Sequence, residues 1–358
     1  MNKTKTIVLK LVAFAIVLII IISLLIFTRS PDKQQNTQTQ SEIAHFYQGK
    51  TIRFLVPSQP GGGFDAYARL LVPYIEKYTG ATVMILNLPG AGGMRSTNEL
   101  FNSPNDGLSI AIIGGSSMIL NKLAGIKGAD YEINEIDYLG RIVVDSRVLF
   151  IANQSGYHDF NDIINTNTTV KIGATGLGGN GYVDAVISKE AFNLNVEIIH
   201  GFDTLAGVTQ SIKRGNLDGG WGPWGSVKSI INSGTEIAIL QSGENRNPDI
   251  PNIPTVHEFI KNSHNPDKTD EILSAWNAFN EVGRFLAAPP GTPVDKLEFL
   301  RNAFSKAIDD PAFLADIKRV DLSVQYANAQ DTLDIIKQSM KMNPDINELF
   351  MRALRGEL

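Results

Sequence analysis

The chain has 358 residues, 43% of them hydrophobic and 19% charged, enough for two core-forming lobes beyond any targeting segment. A formal net charge of −5 without a long basic stretch argues against a nucleic-acid partner, which needs a clustered Lys/Arg face. The absence of cysteine excludes disulfides, Cys-ligated zinc or iron–sulfur clusters, thiol catalysis and a lipidated N-terminal cysteine.

Lys3, Lys5 and Lys10 lead into an uncharged run, Leu11 to Phe27. Its 17 residues span roughly 26 Å at ~1.5 Å each, just short of a bilayer core of ~30 Å. A cleaved signal needs small residues closely behind the apolar run, but Thr28-Arg29-Ser30-Pro31-Asp32-Lys33 follows, and the nearest small pair, Thr39 and Ser41, lies too far downstream. The reading favoured is an uncleaved anchor helix over residues 1–28, with the N-terminus inside and the body outside. A cleaved signal would export the body equally. Residues 29–45, with the polar stretch Gln34–Ser41, read as a flexible tether.

From Phe46 onward a β run, a glycine loop and an amphipathic helix repeat. Thr51–Val56 ends at PSQPGGG before a helix over Ala66–Tyr78; Thr82–Leu86 ends at NLPGAGG before a helix through Asn98–Phe101; Ser109–Ile113 ends at GGSS before a short helix. The pattern restarts at Val170–Ala174, followed by TGLGGNG and a helix over Tyr182–Phe192. Asn195–His200, a helix over Leu205–Arg214, and short strands at Leu217–Trp221 and Glu236–Leu240 complete it. Such alternation implies βαβ units and a mainly parallel sheet in each half. Asp137–Ala152 reads as one long β stretch crossing between lobes, and Phe279–Ala287 as the return crossing. Helices are expected over Asp295–Asp309, Pro311–Val320 and Asp331–Leu354. Two crossings make the first lobe discontinuous, residues 46–145 with 285–358, around a second lobe over 146–284.

In open α/β sheets ligands collect at the carboxyl ends of the strands. Gly61-Gly62-Gly63-Phe64-Asp65-Ala66 and Gly176-Leu177-Gly178-Gly179-Asn180-Gly181 both fit G-x-G-x-x-G/A between a strand and a helix. Glycine there admits an anion to the backbone N–H groups, and the helix adds roughly half a positive charge. One such loop in each lobe suggests a two-sided anion clamp. A dinucleotide site would also want an acid about 20 residues on; Asn87 holds that place after the first loop, and Glu197 lies inside its strand after the second. Ser116-Ser117 has no G-x-S-x-G elbow and no recognisable His/Asp partners. Asp65 reads as a first-turn carboxylate, or else as a cleft acid. Phe202, Trp221 and Trp224 admit two readings, packed core or an apolar wall over a ligand. The five histidines are scattered without ligand spacing, and neither metal nor cofactor is expected.

Phe46-Tyr47-x-Gly49-Lys50, IRFLVPSQPGGGFDAYARLL, NLPGAGG, GATGLGGNG and APPGTP resemble the substrate-binding proteins of tripartite tricarboxylate transporters, the Bug receptors, from Phe46 to the C-terminus. The resemblance implies a type II periplasmic-binding-protein fold, a small organic-acid ligand and a membrane permease as partner, with no catalysis. By motif it places a carboxylate loop on Gly61, Gly62, Gly63 and Asp65, a second first-lobe contact on Ser116 and Ser117, and a second-lobe contact on Thr175, Gly178, Gly179 and Asn180. The family's usual Tyr-Lys-Gly is here Gly201-Phe202-Asp203, and its small apolar residues are replaced by Trp221-Gly222-Pro223-Trp224, which suggests a ligand more apolar or aromatic than citrate. The expectation is a monomeric extracytoplasmic receptor tethered by its N-terminal helix. A sensory receptor presenting its ligand to a signalling partner, or an exported enzyme, would be built on the same pattern.

Overall fold

A computed structural model describes residues 41–144, 146–177 and 179–358. The expected anchor, and the tether up to residue 40, lie outside the described residues, as does Gly178. Residues 41–47 are helical where the tether was expected to continue to residue 45; Ile43, Phe46 and Tyr47 give that stretch an apolar helical face. Gln48–Leu358 form one compact unit.

This unit is built on two sheets. The first takes β1 (Thr51–Val56), β2 (Thr82–Asn87), β3 (Ser109–Gly114), β4 (Asp137–Val143), β10 (Arg284–Ala288) and β11 (Ala327–Asn328), in the order β11-β4-β10-β3-β1-β2. β1 pairs in parallel with β2 and β3, and β10 runs antiparallel between β3 and β4. The second takes β5 (Arg147–Ala152), β6 (Val170–Gly173), β7 (Val196–Ile199), β8 (Gly219–Pro223) and β9 (Glu236–Gln241), in the order β7-β6-β8-β5-β9. β6 pairs in parallel with β7 and β8, and β5 runs antiparallel between β8 and β9. Central strands such as β3 (SIAIIG) are buried throughout, as a strand covered on both faces must be.

The helices are α1 (Gly63–Thr79), α2 (Met94–Phe101), α3 (Gly115–Leu123), α4 (Phe160–Asn165), α5 (Asn180–Phe192), α6 (Leu205–Lys213), α7 (Trp224–Asn232), α8 (Pro266–Val282), α9 (Val294–Asp309), α10 (Pro311–Arg319), α11 (Ala329–Ser339) and α12 (Pro344–Arg355). α1 shows how sequence sets them. Tyr67, Ala68, Leu71, Tyr74 and Ile75 recur at helical spacing and are buried, and Gly80 ends the helix in the left-handed conformation, φ 76°. α8 and α12 each pack on both α3 and α5, so helices that follow strands of different sheets share one apolar core around Trp276, Phe279 and Phe350.

The mixed α/β architecture in two sheets is the expected one, and three expected elements are corrected. Asp137–Ala152 is two strands, β4 and β5, in different sheets, parted at residues 144–146. Phe279–Val282 is the last turn of α8, and the return strand begins only at Arg284. Asp331–Leu354 is broken into α11 and α12, because Pro344 cannot continue a helix and Asn343 caps the new one.

The turn from α8 into β10 rests on Gly283, whose φ of 63° and ψ of −145° lie in a region essentially reserved for glycine. A Cβ there would stand 2.0 Å from the Val143 carbonyl oxygen. Gly283→Ala is therefore expected to destabilise the fold by roughly 3 kcal/mol, combining backbone strain with overpacking. Urea unfolding would show this as a lower midpoint; an unchanged midpoint would mean that the turn tolerates a side chain.

Candidate functional site

Chain direction decides where a ligand can sit. β1, β2, β3 and β4 all end on one edge of the first sheet, where β10 begins; β6, β7, β8 and β9 end on one edge of the second, where β5 begins. The short link 144–146 carries the chain from the end of β4 to the start of β5, so these two edges face each other. On them α1, α2, α3, α5 and α7 begin after Gly62, Gly93, Gly114, Gly179 and Pro223, none with a side-chain cap. By contrast α4, α8, α10, α11 and α12 are capped by Asp159, Asn265, Asp310, Asn328 and Asn343. α6, capped by Thr204 on the facing edge, and α9, uncapped behind Pro293, depart from this division. Uncapped helix starts leave backbone N–H donors and the positive end of the helix dipole available to an anion.

The first glycine loop is pinned from within. Asp65 is 1% exposed. It accepts from the Gly61 amide at 2.8 Å, Arg69 Nε at 2.7 Å and Asn87 Nδ2 at 3.0 Å. Burial works against its ionisation, but the hydrogen bonds from Arg69, Gly61 and Asn87 outweigh that and hold its pKa below the ordinary 3.8. The carboxylate is thus spent on the loop, and Asn87 stands where a ribose-binding acid would because Asp65 needs a donor there. Gly61 has φ 83°, and the Gly62 amide donates to Gln59 O at 3.0 Å.

Ser116 and Ser117 are buried at the start of α3; their hydroxyls donate to Phe279 O at 2.9 Å and Gly114 O at 3.2 Å. In the second loop Thr175 is half-buried and its carbonyl accepts from Gly201 N, while the Gly179 amide donates to Gly176 O at 3.0 Å. Asn180 opens α5 with its Oδ1 buried and unpartnered. Beneath this turn Arg147 and Asp184 form a buried ion pair, Nε to Oδ2 2.5 Å, and Trp276 Nε1 donates to Asp184 Oδ1 at 3.0 Å. The Arg147 guanidinium lies 3.8 Å from where a Gly181 Cβ would be, so the pair supports the second loop directly.

Where the edges meet there is a cavity lined by Gly63, Tyr67, Val143 and Arg284 from the first sheet's side and by Trp224, Ser226 and Asn247 from the second's. Of the residues singled out from sequence, Gly63 and Trp224 line it; Ser116, Ser117, Thr175, Gly179 and Asn180 do not. The two tryptophans divide. Trp221, 2% exposed, is packed edge-on against Trp276 with centroids 5.3 Å apart, in the core. Trp224 stands at the cavity with its indole N–H buried and unpartnered. Phe202 is half-buried against the α6 core beside Gly207. Sequence reading missed Arg284, Ser226 and Asn247; the one signal for Arg284 was a charge opening the apolar run RFLAA.

Two α/β sheets with their strand ends face to face define a protein of the periplasmic-binding-protein class. The chain belongs to the tripartite tricarboxylate transporter family of receptors, TctC, whose family model matches residues 67–350. It is 21% identical to a UPF0065 protein of Pseudomonas sp. strain P51 over 84% of this chain and 86% of that protein. It is 22% identical to the protein BugT of Bordetella pertussis over 75% of this chain and 79% of that protein. The fold matches the periplasmic binding protein BugD with a TM-score of 0.70 at 23% identity, covering 86% of this chain and 98% of that one. It also matches Rhodopseudomonas palustris MatC with bound malate, TM-score 0.64 at 18% identity, over 83% of this chain and 99% of MatC. A further R. palustris protein with adipate matches with a TM-score of 0.70 at 15% identity, over 84% of this chain and 97% of that one.

The lowered pKa makes a signed prediction. A carboxylate depressed on folding contributes its stability in full well above pH 3.8 and loses it as pH falls through the lower folded value. Asp65 therefore stays ionised from pH 5 to 8, and its part in stability should be flat there and fade only in acid. Asp65→Ala, which strands the Gly61 amide and Asn87, is expected to cost about 1–3 kcal/mol at neutral pH. Urea titrations of both proteins across pH would show this; a stability step near pH 6 that vanishes in Asp65→Ala would contradict it.

Proposed function

We propose that this chain is the extracytoplasmic receptor of a tripartite tricarboxylate-type transporter: it closes on a small organic carboxylate and delivers it to a membrane permease without chemical change. The observation that carries this reading is the gathering of uncapped helix N-termini on facing edges of two sheets. Backbone donors from both sides suit an anionic ligand, and the malate and adipate in two solved proteins of similar fold are organic acids. In this reading residues 46–145 with 285–358 form one lobe and 146–284 the other, turning about the links at 144–146 and Gly283. Gly61, Gly62, Gly63 and the start of α5 hold the carboxylate, and Asp65 shapes the first loop. Trp224 rather than Trp221 supplies the aromatic wall. The N-terminal apolar run tethers a monomeric receptor to the outer face of the membrane.

Closure brings specific atoms together. Lys228 Nζ reaches Asp321 Oδ1 at 2.9 Å, joining α7 to the segment after α10. A Cβ at Gly63 would stand 2.7 Å from Ser226 Oγ and 3.1 Å from Arg284 Nη1. A side chain there would hold the edges apart, so Gly63→Val should weaken binding by at least about tenfold, about 1.4 kcal/mol. Gly62→Val acts within the loop, since its Cβ would meet Ser58 Oγ at 2.9 Å, and should abolish binding.

The test is thermal unfolding of the full-length chain against aliphatic, amino and aromatic acids. Ligand at ~100-fold over Kd adds ~2.7 kcal/mol, raising Tm by several degrees. A rise with one acid class that is lost in Gly62→Val supports the reading. No rise with any carboxylate would sink it.

A further inference from the structure

His257 stands half-buried in the 3₁₀ segment Val256–Asn262, where that segment packs on α8. From α8, Asn277 Nδ2 lies 2.9 Å from the ring's Nε2 and Asp270 Oδ1 lies 3.9 Å from its Nδ1. An amide nitrogen only donates, so Nε2 accepts and the ring is neutral, with its proton on Nδ1 towards Asp270. The other end of the same amide, Asn277 Oδ1, is buried without a partner. A proton added at Nε2 has two outcomes. Donor then faces donor, or the amide turns over and moves its NH2 to the buried place where Oδ1 has no partner. Both cost free energy that the neutral ring does not.

The charges acting on the ring are Glu244, from the segment after β9, and Asp270; burial outweighs both and holds its pKa below the ordinary 6.5. On the ring's own segment Lys261 is exposed, and Glu258 is gripped by Arg246 through both oxygens, at 2.7 and 2.6 Å. α4, packed on the segment through Phe160 and Phe259, brings Asp162, which accepts from the His158 and Asp159 amides. The hydrogen bonds from Arg246 and the Thr255 amide hold the Glu258 pKa down to about 2, so the Arg246 fork stays ionised wherever His257 titrates. That fork ties His257's neighbour to Asn247's. Asn247 lines the cavity; its amide donates to Gln241 Oε1 at 2.8 Å, and its Nδ2 donates to Ser146 Oγ at 2.7 Å, in the link between the sheets.

We propose that His257 and Asn277 form an acid-weakened clasp. It holds the segment 242–262 on α8 while the ring is neutral, and loosens that segment, Asn247 at the cavity included, once the ring takes a proton. The clasp stands apart from the receptor reading, since no ligand enters it. Its sign follows from the burial. A histidine depressed on folding costs nothing well above pH 6.5 and withdraws stability as pH falls from there through its lower folded value.

Nitrogen–proton NMR of the imidazoles of the full-length chain, with His257→Gln to assign the signal, reads the tautomer directly. A neutral ring carrying its proton on Nδ1 is expected; one carrying it on Nε2 overturns the clasp, as does a ring that titrates at or above its ordinary value. Hydrogen exchange reads the consequence. Between about pH 7.5 and about pH 5 the protection factors of the 256–262 amides and of Asn247 should fall roughly tenfold, the worth of one buried donor left unsatisfied. In His257→Gln, whose amide does not titrate, the fall should be absent. No fall in wild type, or an equal fall in His257→Gln, overturns the clasp. Asn277→Asp sets an acceptor against the ring, so the ring should titrate at higher pH and the fall should disappear. If His257→Gln does not fold, this variant decides: an unchanged titration and an unchanged fall overturn the clasp.

Discussion

Two glycines meeting without side chains set the geometry on which both edges depend. The Gly115 amide donates to the Gly283 carbonyl at 2.8 Å; a Cβ at Gly115 would lie 2.1 Å from Val282 Cγ1, and one at Gly283 would strike the Val143 carbonyl. The end of β4, the start of α3 and the turn into β10 therefore touch backbone to backbone, a closeness only glycine allows. Ser116 ties the same corner to α8 through Phe279 O. With α8 fixed there, Trp276 is carried to Asp184 and thereby to Arg147 at the start of β5. Each crossing strand so begins with a buried arginine. Arg147 is paired with Asp184, and Arg284 lies against two aromatic rings at the cavity.

The distribution of helix caps follows from the same arrangement. Asp and Asn cap helices whose starts lie away from the facing edges, where solvent or the chain itself must satisfy the first amides. On the facing edges a capping carboxylate would compete with an anion for those amides, and glycine or proline stands there instead, save for Thr204 before α6. Asp65 is no exception to this rule once its partners are counted. Both its oxygens are engaged by Gly61, Arg69 and Asn87, so the charge stiffens the loop and does not face the gap.

Much of this was legible because glycine is a local signal. Strand-then-glycine-then-helix units placed β1, β2, β3 and β6 and the two loops, since a β run and the helix after it each carry their own periodicity. The breaks inside apolar stretches were not legible. Val143 to Arg147 and Val282 to Arg284 read as continuous β sequence, because what divides them is tertiary: two sheets, and a glycine conformation forced by a neighbouring carbonyl. The tryptophans failed for a similar reason. Both sit in GGWGPWG, and only the end of β8 at Pro223 sends Trp221 into the core and Trp224 to the cavity. Arg284 carried almost no signal, since one charge at the mouth of an apolar run is equally a strand end in solvent.

The contacts joining the two edges bear on what could drive closure. Lys228–Asp321 is an ion pair with Asp321 well exposed, worth no more than about 1 kcal/mol. At the mouth Leu322 also lies beside Gly225, and Ser226 beside Gly63. If the edges part and meet as the proposed receptor reading requires, the balance falls to whichever ligand contacts only the closed arrangement provides. Donors on one edge alone would bind an acid without favouring either arrangement. Donors divided between the start of α1 on one side and that of α5 on the other would favour closure, because an acid could satisfy both sets only with the edges together.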